Sequence, residues 1–204
     1  MDSLVSDLIY QGYLKTDRII AAFSKIKRVD FVPEELKIAS QSNIPLPIGL
    51  GQTISQPLTV AFMLELLQPQ SGDKILDVGS GSGWATALLA HIVGKKGKVI
   101  GIERIKKLCE FGTNNISRYH LIEGGRAKII CADGTKGYVN EAPYNRILVS
   151  AAALEIPRDL KKQLAVGGRL VIPVKNSIWM LEKLPGNKFQ EVEYPGFAFV
   201  PLIS

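Results

Sequence analysis

The chain has 204 residues, a hydrophobic fraction of 46% and a formal net charge of +6. Such a length and apolar content suffice for one domain with a full core, and no apolar run reaches the roughly 18 residues that a membrane-spanning helix needs. The basic residues are scattered, with Lys95-Lys96-Gly97-Lys98 the densest cluster, so the charge marks no nucleic-acid face.

Leu4, Leu8, Ile9 and Leu14 predict an amphipathic helix over residues 3–14. Thr16 offers an N-cap with Asp17 in the following turn, and Ile19, Ile20, Phe23 and Ile26 continue at helical spacing. Pro33 interrupts, and Glu34-Glu35-Leu36-Lys37 opens another short helix. Residues 41–57 carry Pro45, Pro47, Gly49 and Gly51 close together and are expected to form an extended loop. Pro57 suits the first position of the next helix, whose core face would be Leu58, Phe62 and Leu66. Ser55, just before that helix, has an ordinary explanation as its cap.

Lys74-Ile75-Leu76 is a short apolar run of the kind found in buried parallel strands. Asp77-Val78-Gly79-Ser80-Gly81-Ser82-Gly83 follows, and then an apolar helix from Trp84 to Ala90. Glycines at alternate positions let backbone approach a ligand and leave helix N–H groups facing a crevice. A second strand, Lys98 to Ile102, ends at Glu103, twenty residues beyond Gly83, where a carboxylate can accept hydrogen bonds from both ribose hydroxyls of a nucleoside. The third glycine comes one position earlier than in the dinucleotide fingerprint, and Asp77 suits an ammonium-bearing ligand better than a pyrophosphate. The pattern resembles the S-adenosylmethionine (SAM) motif of Rossmann-like methyltransferases. A dehydrogenase loop and a plain strand–helix turn are the other readings.

Ile105, Leu108, Gly112, Ile116 and Tyr119 mark a helix. Residues 126–131 form a third strand, ended by Ala132-Asp133-Gly134, which puts Asp133 at a strand's carboxyl end, the ligand-binding edge of open α/β sheets. Ile147 to Ser150 is the fourth strand, Arg158 to Leu164 a helix, and Arg169 to Pro173 the fifth strand. Residues 179–181 and 189–194 read as antiparallel strands because no helix separates them. The tail, residues 197–202, is apolar enough that it should dock. Cys109 and Cys131 form no CxxC and read as small buried hydrophobes. His91 and His120 read as structural, and no metal cluster or Ser-His-Asp set is visible. Met1-Asp2-Ser3-Leu4 lacks the regions of a signal peptide, so a cytoplasmic protein is expected, with no nucleic-acid or membrane partner.

Several segments together resemble one family, the protein-L-isoaspartate O-methyltransferases. They are Pro45-Leu46-Pro47-Ile48-Gly49, Gly51-Gln52-Thr53-Ile54-Ser55-Gln56-Pro57, Asp77 to Trp84, Ile102-Glu103-Arg104, Ala132-Asp133-Gly134-Thr135-Lys136-Gly137, Ala142-Pro143-Tyr144, Gln163-Leu164-Ala165-Val166-Gly167-Gly168-Arg169-Leu170 and the final Phe199-Val200-Pro201-Leu202. The resemblance runs from about Ile19 to Leu202 in the family's order. It implies a doubly wound, mostly parallel Rossmann-like methyltransferase sheet with antiparallel C-terminal strands. Within a single domain, residues 1–70 would be a helical extension with the substrate loop and 71–204 the SAM-binding core. The implied enzyme is a repair methyltransferase, expected as a monomer, that transfers methyl from SAM to the free α-carboxylate of L-isoaspartyl residues in damaged proteins and peptides.

The resemblance makes Ser55 the residue that holds the substrate carboxylate. Thr53, Ile54, Val200 and Pro201 would line the peptide side. Glu103 would hold the ribose, Asp133 the adenine amino group, and Gly79, Gly81 and Gly83 would pass beside the methionine portion, with Asp77, Ser80, Arg104, Ala132 and Gly134 completing the cofactor set. The chain departs from the family's pattern at Gln41, Ser42, Leu58 and Asn145, so the cofactor half is nearly intact and the peptide half partly changed. Methylation of another carboxylate, or a non-catalytic module that binds SAM or modified peptide, are the alternatives.

Overall fold

A computed structural model describes residues 3–203. The first helix, α1 (Ser3–Tyr10), ends sooner than its apolar spacing suggests, because Gly12 turns the chain at φ +74°; Leu14 is buried beyond that turn. Thr16 precedes α2 (Asp17–Lys25), yet its side chain makes no cap bond. Its hydroxyl instead donates to Glu65 Oε2 at 2.6 Å, while the Lys15 and Thr16 N–H groups donate to Oε1 at 2.9 Å. One carboxylate on the third helix thus receives the entry of α2. Residues 34–41 are tight 3₁₀ turns rather than a helix.

Residues 41–57 are not an extended loop throughout. Strands β1 (Leu46–Gly49) and β2 (Gln52–Ile54) pair antiparallel, with Leu46 opposite Ile54. Pro47 is admissible because a two-stranded ribbon leaves its missing donor on an open edge. Gly49, Leu50 and Gly51 all have positive φ at the tip. Helix α3 (Pro57–Leu67) does begin at Pro57. Its buried face is Val60, Ala61, Leu64 and Leu67, whereas the expected Leu58, Phe62 and Leu66 are half-buried. This second face is covered by the C-terminal segment, with Phe62 and Phe197 stacked at 5.2 Å. Covering both faces turns a one-sided amphipathic reading into a helix buried nearly all round.

The main sheet contains β3 (Lys74–Val78), β4 (Lys98–Glu103), β5 (Ala127–Cys131), β6 (Tyr144–Val149), β7 (Leu164–Val174), β8 (Ser177–Leu184) and β9 (Lys188–Pro195). Its order is β5-β4-β3-β6-β7-β8-β9, parallel from β5 to β7 and antiparallel from β7 to β9. Helices α4 (Trp84–Val93), α5 (Lys106–Ser117) and α6 (Arg158–Gln163) connect the parallel strands. Alternate strand residues feed two cores: Ile75, Val99, Leu148 and Val171 pack with residues of α2 to α5, whereas Leu76, Ile100, Ile147 and Leu170 pack with Leu160 and Tyr144. This is why the strand sequences are apolar on both faces.

Strand order reverses at β3, between β4 and β6, which opens a crevice at the carboxyl ends of β3 and β4. The tail docks there: the Ala152 N–H donates to Val200 O and the Leu202 N–H to Ala152 O, both at 2.8 Å. Cys109 is buried, but Cys131 is exposed at the end of β5, an edge strand with a strand neighbour on one side alone. Among the described residues, no helix is long and apolar enough to cross a membrane.

Candidate active site

The glycine loop is bonded to its neighbouring strand. The Gly79 and Ser80 N–H groups both donate to Ile102 O, at 2.9 and 3.0 Å. Glu103, only 7% exposed, accepts the Gly81 N–H at 3.0 Å through Oε2 and the Ile105 N–H at 2.9 Å through Oε1. The end of β4 is thereby locked to the loop that follows β3, and each carboxylate oxygen keeps a second lone pair for a ligand.

The loop glycines serve different ends. A Cβ on Gly79, whose φ is +81°, would meet nothing closer than 3.9 Å, so this glycine answers to the turn and to whatever approaches its backbone. A Cβ on Gly83 would meet Ile116 at 2.9 Å and Gly112 O at 3.0 Å. Gly83 therefore lets α5 close on the loop, and it does not reach the cleft wall.

Asp77 lies beneath the loop with no exposed surface. Thr86 Oγ1 donates to its Oδ2 at 2.6 Å, and Oδ1 has no partner. Burial pushes its pKa up to about 6; the Thr86 bond opposes the shift and the Glu103 charge adds to it. Asp77 is thus a support under the loop, and a ligand in the cleft does not meet it directly.

A cleft with about 910 Å³ of space open to solvent runs past the loop. One wall is Gly79, Ser80 and Gly81 with Glu103, Arg104 and Gly134; Thr53, Ile54 and Ser55 from the hairpin form another; Val200 and Pro201 of the tail, with Leu202 and Ile203, form a third. A Cβ on Gly81 would come within 3.3 Å of Ile48 on the hairpin, so the loop and the hairpin approach closely at this point. An adjoining recess shares Thr53, Ser55, Ser150 and Val200 with the cleft and adds Pro45, Gln56, Thr59, Ala198 and Phe199. Residues 1–70 and the nucleoside-type motifs therefore meet around one space.

Ala132 and Asp133 are outside that wall. Asp133 is exposed, and its Oδ1 accepts the Thr135 N–H at 2.8 Å. That bond is the main reason its carboxyl lies below the usual range. Ser150 and Ala151, at the end of β6, do line the cleft but had not been singled out; the strand-end rule that marked Asp133 could have found them. Ile48, Val60 and Trp84 also line it; Ile48 and Trp84 belong to the resembled segments, whereas Val60 carries no motif signal.

Ser55 is not the cap of α3. The cap position is Gln56, and the Leu58 N–H donates to Asn43 Oδ1 at 2.9 Å. Of the departures from the resembled pattern, Asn145 lies far from the cleft, where its Oδ1 accepts the Lys74 N–H at 2.8 Å, and Ser42 contributes a carbonyl to the Arg28 guanidinium. Among the described residues, no group of three or more His, Cys, Asp or Glu could hold a metal ion.

The whole chain, residues 1–204, matches the family model for protein-L-isoaspartate(D-aspartate) O-methyltransferase. It is 44% identical to the protein-L-isoaspartate O-methyltransferase of Methanopyrus kandleri, over all of this chain and 91% of that one. It is 46% identical to the enzyme of the same name from Staphylothermus marinus, over 95% and 89% of the two chains. Among solved structures it superposes with a TM-score of 0.88 and 27% identity on a Plasmodium falciparum protein assigned to this activity and crystallised with S-adenosyl-L-homocysteine, covering 99% of this chain and 97% of that one. With its glycine loop, Glu103, hairpin and docked tail assembled around one cleft, the chain belongs to the protein-L-isoaspartate O-methyltransferase family.

Proposed function

We propose that this protein transfers a methyl group from SAM to the free α-carboxylate of L-isoaspartyl residues in damaged proteins and peptides. The observation that carries the reading is the single cleft in which Ser55 and Thr53 of the hairpin face Gly79, Gly81 and Glu103. The residues present fit the cofactor: two side-chain-free positions, Gly79 and Gly81, and a buried carboxylate, Glu103, with lone pairs to spare, on one wall of the cleft. When bound, SAM supplies a methyl group already activated by its sulfonium.

The demands on the chain's own residues are then modest. A carboxylate is ionised at neutral pH, so no general base is needed. Glu103 holds a ribose, Gly79 and Gly81 admit the methionine portion, and the Ser55 hydroxyl donates to the substrate carboxylate. Orientation of this kind can contribute on the order of 7–11 kcal/mol. Thr53, Ile54, Val200 and Pro201 border the peptide, and Asp133 reaches the adenine edge from the rim. Residues 1–70 provide the peptide side and 71–204 the cofactor side of one domain. The reading includes a monomer that works in the cytoplasm on polypeptides, not on nucleic acid or membranes.

The test is transfer of radiolabelled methyl from SAM to paired peptides that differ only in isoaspartate or aspartate. Base-labile label on the isoaspartyl peptide alone is expected. Label on both, or on neither, overturns the reading.

A further inference from the structure

Arg28 is 3% exposed, and the hydrogen bonds of its guanidinium go to backbone carbonyls. Nη1 donates to Ser40 O and Ser42 O, both at 3.1 Å, and Nη2 to Ile44 O at 2.8 Å and Ser55 O at 3.2 Å. The guanidinium also lies over the Trp84 ring, 5.5 Å from its centroid. Burial lowers the Arg28 pKa to about 10, which leaves it cationic at neutral pH.

The partners share a geometric meaning. Ser40, Ser42 and Ile44 lead into the hairpin, and Ser55 leaves it. One side chain therefore pins the two ends of the segment that carries Thr53, Ile54 and Ser55. Trp84 is the first residue of α4, immediately after the glycine loop, and it lines the cleft. Arg28 itself is absent from the cleft wall. Its contacts run from the backbone of Ser55 on the peptide side to an aromatic ring on the cofactor side.

We propose that Arg28 is a positioning residue for methyl transfer, fixing Ser55 relative to the cofactor side of the cleft and holding a buried positive charge behind the place where the substrate carboxylate is bound. The proposal rests on the function given above. A reaction without a general base depends on alignment, and a displacement of about 1 Å can cost roughly 10²-fold. Lysine keeps the charge but lacks the planar fork that serves several carbonyls at once and stacks on a ring.

Arg28→Lys, Ser55→Ala and the double variant are compared with the unaltered protein, reading peptide kcat/KM and, by calorimetry, SAM affinity. Arg28→Lys is expected to lose roughly 10²-fold in peptide kcat/KM while SAM affinity changes by less than about threefold. Because Arg28 acts through Ser55, the double variant should be little worse than the poorer single variant, a non-additivity that a general loss of stability does not produce. Wild-type peptide kinetics in Arg28→Lys, multiplicative defects, or parallel loss of SAM affinity and turnover would each overturn the role. If Arg28→Lys does not fold, Arg28→Gln, which keeps a planar donor group but no charge, is read in the same way, and unaltered peptide kinetics in it overturn the role. Unaltered protein that labels no isoaspartyl peptide refutes the function itself, a different result from normal turnover with an indifferent Arg28.

Discussion

Asn43 Oδ1 accepts the Leu58 N–H at 2.9 Å, so the first turn of α3 is capped by a residue from the far end of the hairpin segment. This bond separates two roles that the amino-acid order had placed together at Ser55. The cap belongs to Asn43, and the Ser55 hydroxyl is left to the cleft.

Substitutions at these two positions should therefore have opposite effects. Asn43→Ala is expected to cost about 0.5–2 kcal/mol of stability, the usual worth of a cap. Ser55→Ala should stay within about 0.5 kcal/mol of the unaltered protein. Its specificity constant for an isoaspartyl peptide should fall roughly 10- to 150-fold, the loss of one hydrogen bond to a charged group. Melting curves and initial rates decide it. A Ser55→Ala enzyme that melts early but turns over normally would return the residue to a structural role.

Glu103→Ala removes an acceptor that holds the Gly81 and Ile105 N–H groups at 3.0 and 2.9 Å. SAM affinity should drop by about tenfold or more, since a hydrogen bond to a charged group is worth roughly 1.5–3 kcal/mol. The apo protein should also melt at lower temperature, because two partly buried donors lose their partner. Calorimetric titration is the check, and unchanged affinity in a folded variant contradicts the assignment.

Asp77 makes stability depend on pH in a direction opposite to that of a salt-bridged carboxylate. Its folded pKa is raised to about 6 from 3.8, so the folded state binds the proton more tightly than the unfolded one. The resulting stabilisation is present below about pH 4 and is lost as pH rises through 6. Asp77→Asn keeps an acceptor for Thr86 and carries no charge. Its stability relative to the unaltered protein should improve between pH 4 and pH 7, by on the order of 2–3 kcal/mol. Denaturation curves that stay parallel across this range would exclude the buried charge as the cause.

Deletion of residues 199–204 removes the strand-like bonds from Val200 and Leu202 to Ala152 and one wall of the cleft. Peptide turnover should be severely reduced, and SAM affinity should fall with it, because Val200 to Ile203 line the same space as Glu103 and Gly81. Full cofactor affinity in the truncated protein would confine the tail to the peptide side.

What the amino-acid order determined by itself is what depends on near neighbours. Apolar runs fixed the parallel strands, alternate glycines after Leu76 marked the loop, and the absence of a helix after β7 implied the antiparallel strands. Pro57 started its helix because proline suits a position with no donor to satisfy. The order of Glu103 behind Gly83 was legible for the same reason: one strand, one helix and one strand set the spacing. The remainder depended on partners far along the chain. Thr16 looked like a cap until Glu65, 49 residues on, took its hydroxyl. The hairpin was hidden by its prolines and became possible only because its edge is open. Asp133 and Ser150 both end parallel strands, yet only Ser150 lines the cleft. Strand order alone does not make that choice, because Gly134 of the same loop after β5 reaches the cleft; the Asp133 side chain is held outside by the Thr135 N–H of its own loop, a local bond that only the folded backbone sets up.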